Sequence, residues 1–163
     1  MSTPSILHST SFQQTRHRCV EGLLAAREAD GRWAGRLSTS ALSTATAINA
    51  LLQVGHPFDR RAIGRAAGWL IATQLPDGSW GDTTDSRGNL STTLLCWSSL
   101  LLVFEQAHEN LGSAAAAEDA IAAAAAWIEH RTGSLESRPI ARALAEIYGR
   151  DRTFSVPILT HIA

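Results

Sequence analysis

Hydrophobic and polar residues are distributed along this 163-residue chain in a way that predicts two kinds of helix. In the first kind, apolar positions recur at helical spacing beside charged positions, as Ile63, Ala67 and Leu70 do. The second kind carries no charged residue, over 37–55 and again over 89–104. Because a helix without a charged face is normally covered by protein, we expect amphipathic outer helices to alternate with buried inner helices.

The chain is predicted to be all-α, since no run shows the strict alternation of a half-buried strand. The expected helices lie at residues 15–28, 41–54, 60–74, 90–107, 114–130 and 139–148, with a last one from 155 onward. Outer and inner helices in alternation predict helical hairpins arranged in two concentric layers. We expect residues 1–14 to form a flexible N-terminal segment and residues 15–163 to form one helical domain.

An internal repeat organises the first half of the chain. Residues 19–33 align with residues 66–80, 47 positions later. Three pairs of identical residues define this register: Asp30 with Asp77, Gly31 with Gly78, and Trp33 with Trp80. The Asp-Gly pair is expected to end the helix before it, because glycine reaches the left-handed conformation without a Cβ penalty. A weaker third copy begins near Ala120 and lacks the final tryptophan.

The second copy, which reads RAAGWLIATQLPDGSW from Arg65 to Trp80, resembles the glutamine-tryptophan repeat of squalene-hopene and oxidosqualene cyclases. Every specified position of that repeat is met, including Trp69, Gln74 and Gly78. The first copy departs from it, with Arg27 in place of the glutamine and Gly22 in place of the aromatic residue. The resemblance extends over nearly the whole chain after about Arg16. It implies that 15–163 is part of an α/α toroid of the terpene cyclase and prenyltransferase superfamily.

A structural role for the repeat is predicted from its residue types. Gln74 is placed in the last turn of an outer helix, where backbone carbonyls need donors, and the Trp80 indole is expected to cover the junction to the next hairpin. The repeat is therefore interpreted as a clamp between hairpins, and none of its residues is predicted to be catalytic or to bind a cofactor. The residues assigned to it are Arg65, Trp69, Gln74, Asp77, Gly78 and Trp80, with Asp30, Gly31 and Trp33 in the first copy.

Candidate chemistry is sparse. Class II terpene cyclases, as the resemblance implies, protonate their substrate with the middle aspartate of a D-x-D-D motif, whereas no two of the seven aspartates here are adjacent or separated by one residue. Asp82 and Asp85 are weak candidates for holding Mg²⁺ against a diphosphate. The alternative is that they are turn-forming residues ahead of a helix capped by Asn89 or Ser91. No catalytic residue, cofactor or metal site is otherwise predicted.

Composition narrows the setting. A net charge of -1 argues against a nucleic-acid partner. Cys19 and Cys96 have no metal or redox spacing and are each expected to be a buried free thiol, which favours a reducing cytoplasm. In a full-length context, a location peripheral to the membrane is a further expectation. The most apolar stretch, 94–104, is too short to span a bilayer and is expected to be a buried helix.

The number of hairpins leaves three hypotheses. The chain has about three, fewer than close a toroid in the resembling family, so it is expected to be the N-terminal, non-catalytic part of a squalene-hopene cyclase-like enzyme. The expected partners are the remainder of a cyclase chain or a second copy bound through exposed inner helices, with an apolar isoprenoid as ligand. One alternative is a helical-repeat module that binds a lipid or a protein. Another is a small Mg²⁺-dependent prenyl-diphosphate enzyme.

Overall fold

The structure, a computed structural model, describes residues 10–34, 38–56, 59–107, 109 and 111–163. Over these residues it contains seven helices and no strand, which confirms the all-α prediction. The helices are α1 (Thr10–Ala25), α2 (Ala41–Val54), α3 (Arg60–Ala72), α4 (Leu90–Ala107), α5 (Ala114–Thr132), α6 (Ser137–Tyr148) and α7 (Arg152–Ile162). The predicted bounds of α2 and α4 are those observed.

Other helix ends differ from the prediction for local reasons. α7 begins at Arg152 because the Asp151 carboxylate accepts a hydrogen bond from the backbone N–H of Thr153 at 2.8 Å and so caps the helix. α3 ends two residues early, at Ala72, where Thr73 takes the capping position. The expectation that the Asp77-Gly78 pair ends α3 is therefore wrong, because this pair lies in a separate turn further on.

Backbone contacts divide the chain into two compact units, Met1–Leu37 and Ser38–Ala163. The helix α1 already includes residues 10–14, while residues 1–9 of the expected flexible segment lie outside the described residues. The division into 1–14 and 15–163 stays a prediction. In the first unit α1 buries none of its residues, and its apolar side chains Val20, Leu23 and Leu24 are exposed.

In the second unit α4 is the central helix. Twelve of its eighteen residues are buried, and α2, α3, α5 and α7 all pack against it. α3 also packs against α2, and α6 packs against α5 and α7. The outer, amphipathic α3 contributes Ile63, Ala67 and Leu70 to the core, as its pattern predicts.

Small polar side chains join α4 to α2. The Ser99 hydroxyl donates to the carbonyl of Ala45 at 3.0 Å, and the Cys96 thiol donates to the carbonyl of Ala41 at 3.7 Å. These bonds satisfy buried polar groups without a charge, because each reaches a backbone oxygen of the neighbouring helix. Burial also raises the pKa of the Cys96 thiol, so this cysteine stays protonated.

Two expectations about burial are wrong. α2 was expected to be covered on all sides, yet only Ala41, Ala45, Ile48 and Asn49 are buried, and six of its residues are exposed. The absence of charged residues in this helix therefore does not indicate complete burial. Cys19 was expected to be a buried thiol but is exposed on α1; Cys96 is buried as predicted.

Among the described residues, one helix is long and apolar enough by length and composition alone to cross a membrane, namely α4. Of that helix, 67% is buried inside the protein. Such burial is the pattern of a core helix, in agreement with the prediction that this stretch is not a membrane span.

Candidate functional site

The second copy of the repeat forms a tight turn after α3. The backbone N–H of Gly78 donates to the carbonyl of Leu75 at 2.9 Å, and the N–H of Leu75 donates to the carbonyl of Ser79 at 2.9 Å. Gly78 has a φ of +88°. A Cβ atom at this position would lie 2.6 Å from the carbonyl oxygen of Ala123. Glycine is thus required both by the backbone conformation and by the close approach of α5.

Gln74 connects this turn to α5. Its Nε2 donates to the carbonyl of Gly78 at 2.9 Å and to the carbonyl of Ala120 at 2.8 Å. Gln74 was predicted to lie in the last turn of the helix, but α3 ends at Ala72 and Gln74 lies beyond it. The amide therefore serves the turn and the next outer helix instead of the carbonyls of its own helix.

Trp80 donates a hydrogen bond to a backbone carbonyl in the last turn of α3. Its indole Nε1 donates to the carbonyl of Leu70 at 2.8 Å, and the side chain is only 1% exposed. Its backbone N–H donates to the Thr93 hydroxyl at 3.1 Å, while its carbonyl accepts from the N–H of Asn89 at 3.1 Å. Trp80 is therefore a single buried residue that is hydrogen-bonded to both α3 and α4.

Asp77 makes the remaining contact with α5. One carboxylate oxygen accepts from the Ser79 hydroxyl at 2.6 Å and from its backbone N–H at 3.1 Å, and the other accepts from the indole of Trp127 at 3.1 Å. The Arg131 guanidinium lies 4.3 Å from the centre of the Trp127 ring. The hydrogen bonds from Ser79, aided by the one from Trp127, hold the pKa of Asp77 below its usual value, although desolvation of this largely exposed carboxylate acts in the opposite direction.

The repeat residues are not all used alike. Gln74, Asp77, Gly78 and Trp80 meet at the junction of α3, α4 and α5, as the previous bonds show. Trp69 is half-buried against the core one turn earlier on α3, and the Arg65 side chain is exposed. Trp127, which belongs to the weak third copy, was not assigned to the clamp, because nothing in its own sequence neighbourhood indicates a bond to Asp77.

The first copy reproduces the same turn. The N–H of Gly31 donates to the carbonyl of Glu28 at 2.9 Å, and the N–H of Glu28 donates to the carbonyl of Arg32 at 2.8 Å. Gly31 also has a φ of +88°. The Trp33 indole donates to the carbonyl of Leu23 at 2.6 Å, the position equivalent to Leu70. The backbone bonds of the turn and the tryptophan bond are therefore repeated in the 47-residue register.

Arg27 occupies the position of the glutamine in the first copy and donates the equivalent hydrogen bond. Its Nε donates to the carbonyl of Gly31 at 2.7 Å, which is the bond that Gln74 makes to Gly78. Its guanidinium also lies 5.5 Å from the centre of the Trp33 ring. The departure from the repeat thus preserves the internal bond. A side-chain donor at this position was the signal that could have indicated it.

Asp82 and Asp85 occupy the loop before α4. Asp82 accepts hydrogen bonds from the Asn89 amide at 2.8 Å and from the Thr92 hydroxyl, and Asn89 itself accepts from the N–H of Thr92 at 2.9 Å as the cap of α4. Asp85 is exposed beside Arg87. No group of three or more His, Cys, Asp or Glu side chains is placed to hold a metal ion in the described part of the chain. The arrangement gives Asp82 a role in supporting a helix cap.

The fold and the clamp define a helical-repeat protein whose hairpins are joined by a glutamine, an aspartate and a buried tryptophan. The family described as the squalene-hopene cyclase N-terminal domain matches residues 17–159. The chain therefore belongs to that family, which confirms the resemblance found in the repeat.

Two curated relatives match parts of the chain. A squalene-hopene cyclase of Zymomonas mobilis subsp. mobilis is 40% identical over 68 residues, which are 41% of this chain and 10% of the relative. A copalyl diphosphate synthase of Streptomyces cyslabdanicus is 36% identical over 72 residues, which are 44% of this chain and 14% of the relative. The matches thus span only a small part of the length of these relatives. No solved structure matches significantly.

Proposed function

We propose that this chain is the N-terminal, non-catalytic part of a squalene-hopene cyclase-like terpenoid cyclase, an enzyme that cyclises an isoprenoid or triterpene. The observation that carries the proposal is the clamp at the end of α3. Gln74 and Trp80 together bind three backbone carbonyls, on the turn, on α5 and on α3. Such groups hold a scaffold together, and none of them transfers a proton at neutral pH.

The acidic residues support the same proposal. The sequence has no D-x-D-D, the motif that supplies the acid in the resembling family. Asp77 has a lowered pKa, so its carboxylate is ionised at neutral pH and has no proton to donate. Asp82 already accepts two side-chain hydrogen bonds near the α4 cap, which weighs against the alternative of a small Mg²⁺-dependent enzyme.

The proposed partners follow from the exposed apolar surface. Phe154 and Val156 of α7 and Val54 of α2 are exposed, and exposed large apolar side chains are candidates for contact with further protein. The remainder of a cyclase chain is the proposed cover, with self-association as the alternative, and the proposed ligand is an apolar isoprenoid. A nucleic-acid partner is not proposed. Two free thiols fit a reducing cytoplasm, and we extend the proposal to a peripheral membrane location in a full-length context.

Product analysis of the purified chain tests the proposal. Squalene and a prenyl diphosphate would be incubated separately with the protein, with and without Mg²⁺, and the extracts examined by gas chromatography and mass spectrometry. We expect no cyclised product and no released diphosphate. Cyclisation by the chain alone would overturn the non-catalytic assignment. Mg²⁺-dependent diphosphate release that is lost in Asp82→Ala would favour the small enzyme instead.

The cyclase assignment itself is tested separately from inactivity. Genomic sequence beyond the codon for Ala163, or elsewhere in the same gene cluster, should encode a D-x-D-D motif. Co-expression of that segment with this chain is expected to yield cyclised product. Neither segment expressed alone is expected to do so. If the pair stays inactive while the chain binds prenol-containing vesicles or captures a defined protein, the binding-module hypothesis replaces the cyclase.

A further inference from the structure

We draw no further inference here: the strongest candidate, the unpartnered apolar face of α1 formed by Val20, Leu23 and Leu24 beside the exposed Trp33 indole, carries nothing because no feature of the structure shows what covers it.

Discussion

The two copies of the repeat have the same internal hydrogen bonds but different surroundings. In the second copy, Trp80 is 1% exposed, and Gln74 and Asp77 each bind α5. In the first copy, Trp33 is 53% exposed, and Asp30 is paired with Arg32 at 2.7 Å. The comparison separates what the repeat does by itself from what it does between helices. The turn forms from local bonds in both copies, whereas the clamp of the second copy also uses a carbonyl and an indole of α5.

The largest expected difference between the copies concerns their tryptophans. Trp80→Ala should lower the free energy of unfolding by about 3–5 kcal/mol, because it removes a fully buried side chain and leaves the carbonyl of Leu70 without its donor. Trp33→Ala should cost no more than about 1 kcal/mol, because its side chain is half in water. Urea denaturation followed by circular dichroism measures both. Equal losses would show that burial does not distinguish the copies.

The glycines provide a second comparison. Gly31 and Gly78 share a φ of +88°, so alanine imposes the same conformational cost at both. At Gly78 the added Cβ meets the backbone of Ala123, whereas at Gly31 it meets only the flexible Arg27 side chain. Gly78→Ala should therefore be about 1–3 kcal/mol more destabilising than Gly31→Ala. Thermal and urea denaturation of the two variants provide the measurement, and a smaller loss in Gly78→Ala would contradict the close approach of α5.

Exchanging the glutamine and the arginine tests whether the two side chains serve the same bond. Gln74→Ala should cost about 1–3 kcal/mol in unfolding free energy, since two carbonyls lose their donor. Gln74→Arg should recover part of that loss, because Arg27 makes the equivalent bond to Gly31. The reciprocal Arg27→Gln should change stability little. Should Gln74→Arg be as unstable as Gln74→Ala, the proposed equivalence of the two donors would be wrong.

The smallest expected effect is a pH dependence from Asp77. Its pKa is lowered in the folded protein, so this group stabilises the fold above its unfolded pKa of about 4, and the contribution is lost as the pH falls through the lower folded value. The carboxylate is largely exposed, so screening keeps the effect modest. The free energy of unfolding would be measured from roughly pH 6 down to pH 3, the range in which the Asp77 carboxylate begins to take up its proton. It should fall less steeply with pH in Asp77→Asn than in the original protein. Parallel curves would remove Asp77 from the pH response.

Much of the fold could be predicted from local pattern. The uncharged stretches and their flanking turn residues place α2 and α4 at their observed bounds, because each helix is bounded by residues that cap or break helices. The ends of α3 and α7 were less predictable. Capping hydrogen bonds decide them: the Thr73 hydroxyl donates to the carbonyls of Trp69 and Leu70, and the Asp151 carboxylate accepts from the N–H of Thr153. Several neighbouring residues could have made equivalent bonds.

The candidate site was predicted in part. The register of the two copies placed Gly31 and Gly78 in equivalent turns, since a backbone conformation that favours glycine leaves a local trace in sequence. The pairing of Asp77 with Trp127 spans 50 positions and leaves no such trace. The same holds for the exposed side of α2, since burial depends on which neighbours are present and not on the composition of the helix alone.

By itself, the sequence determined the helical class, the repeat and its family, because helix periodicity and turn chemistry are properties of neighbouring residues. Only the tertiary structure decided that the second copy of the repeat joins α3, α4 and α5, through Gln74, Asp77 and Trp80. It also decided that Arg27 makes the bond assigned to a glutamine. Those outcomes depend on carbonyls and indoles brought in from distant parts of the chain, where the geometry of packing selects the partner.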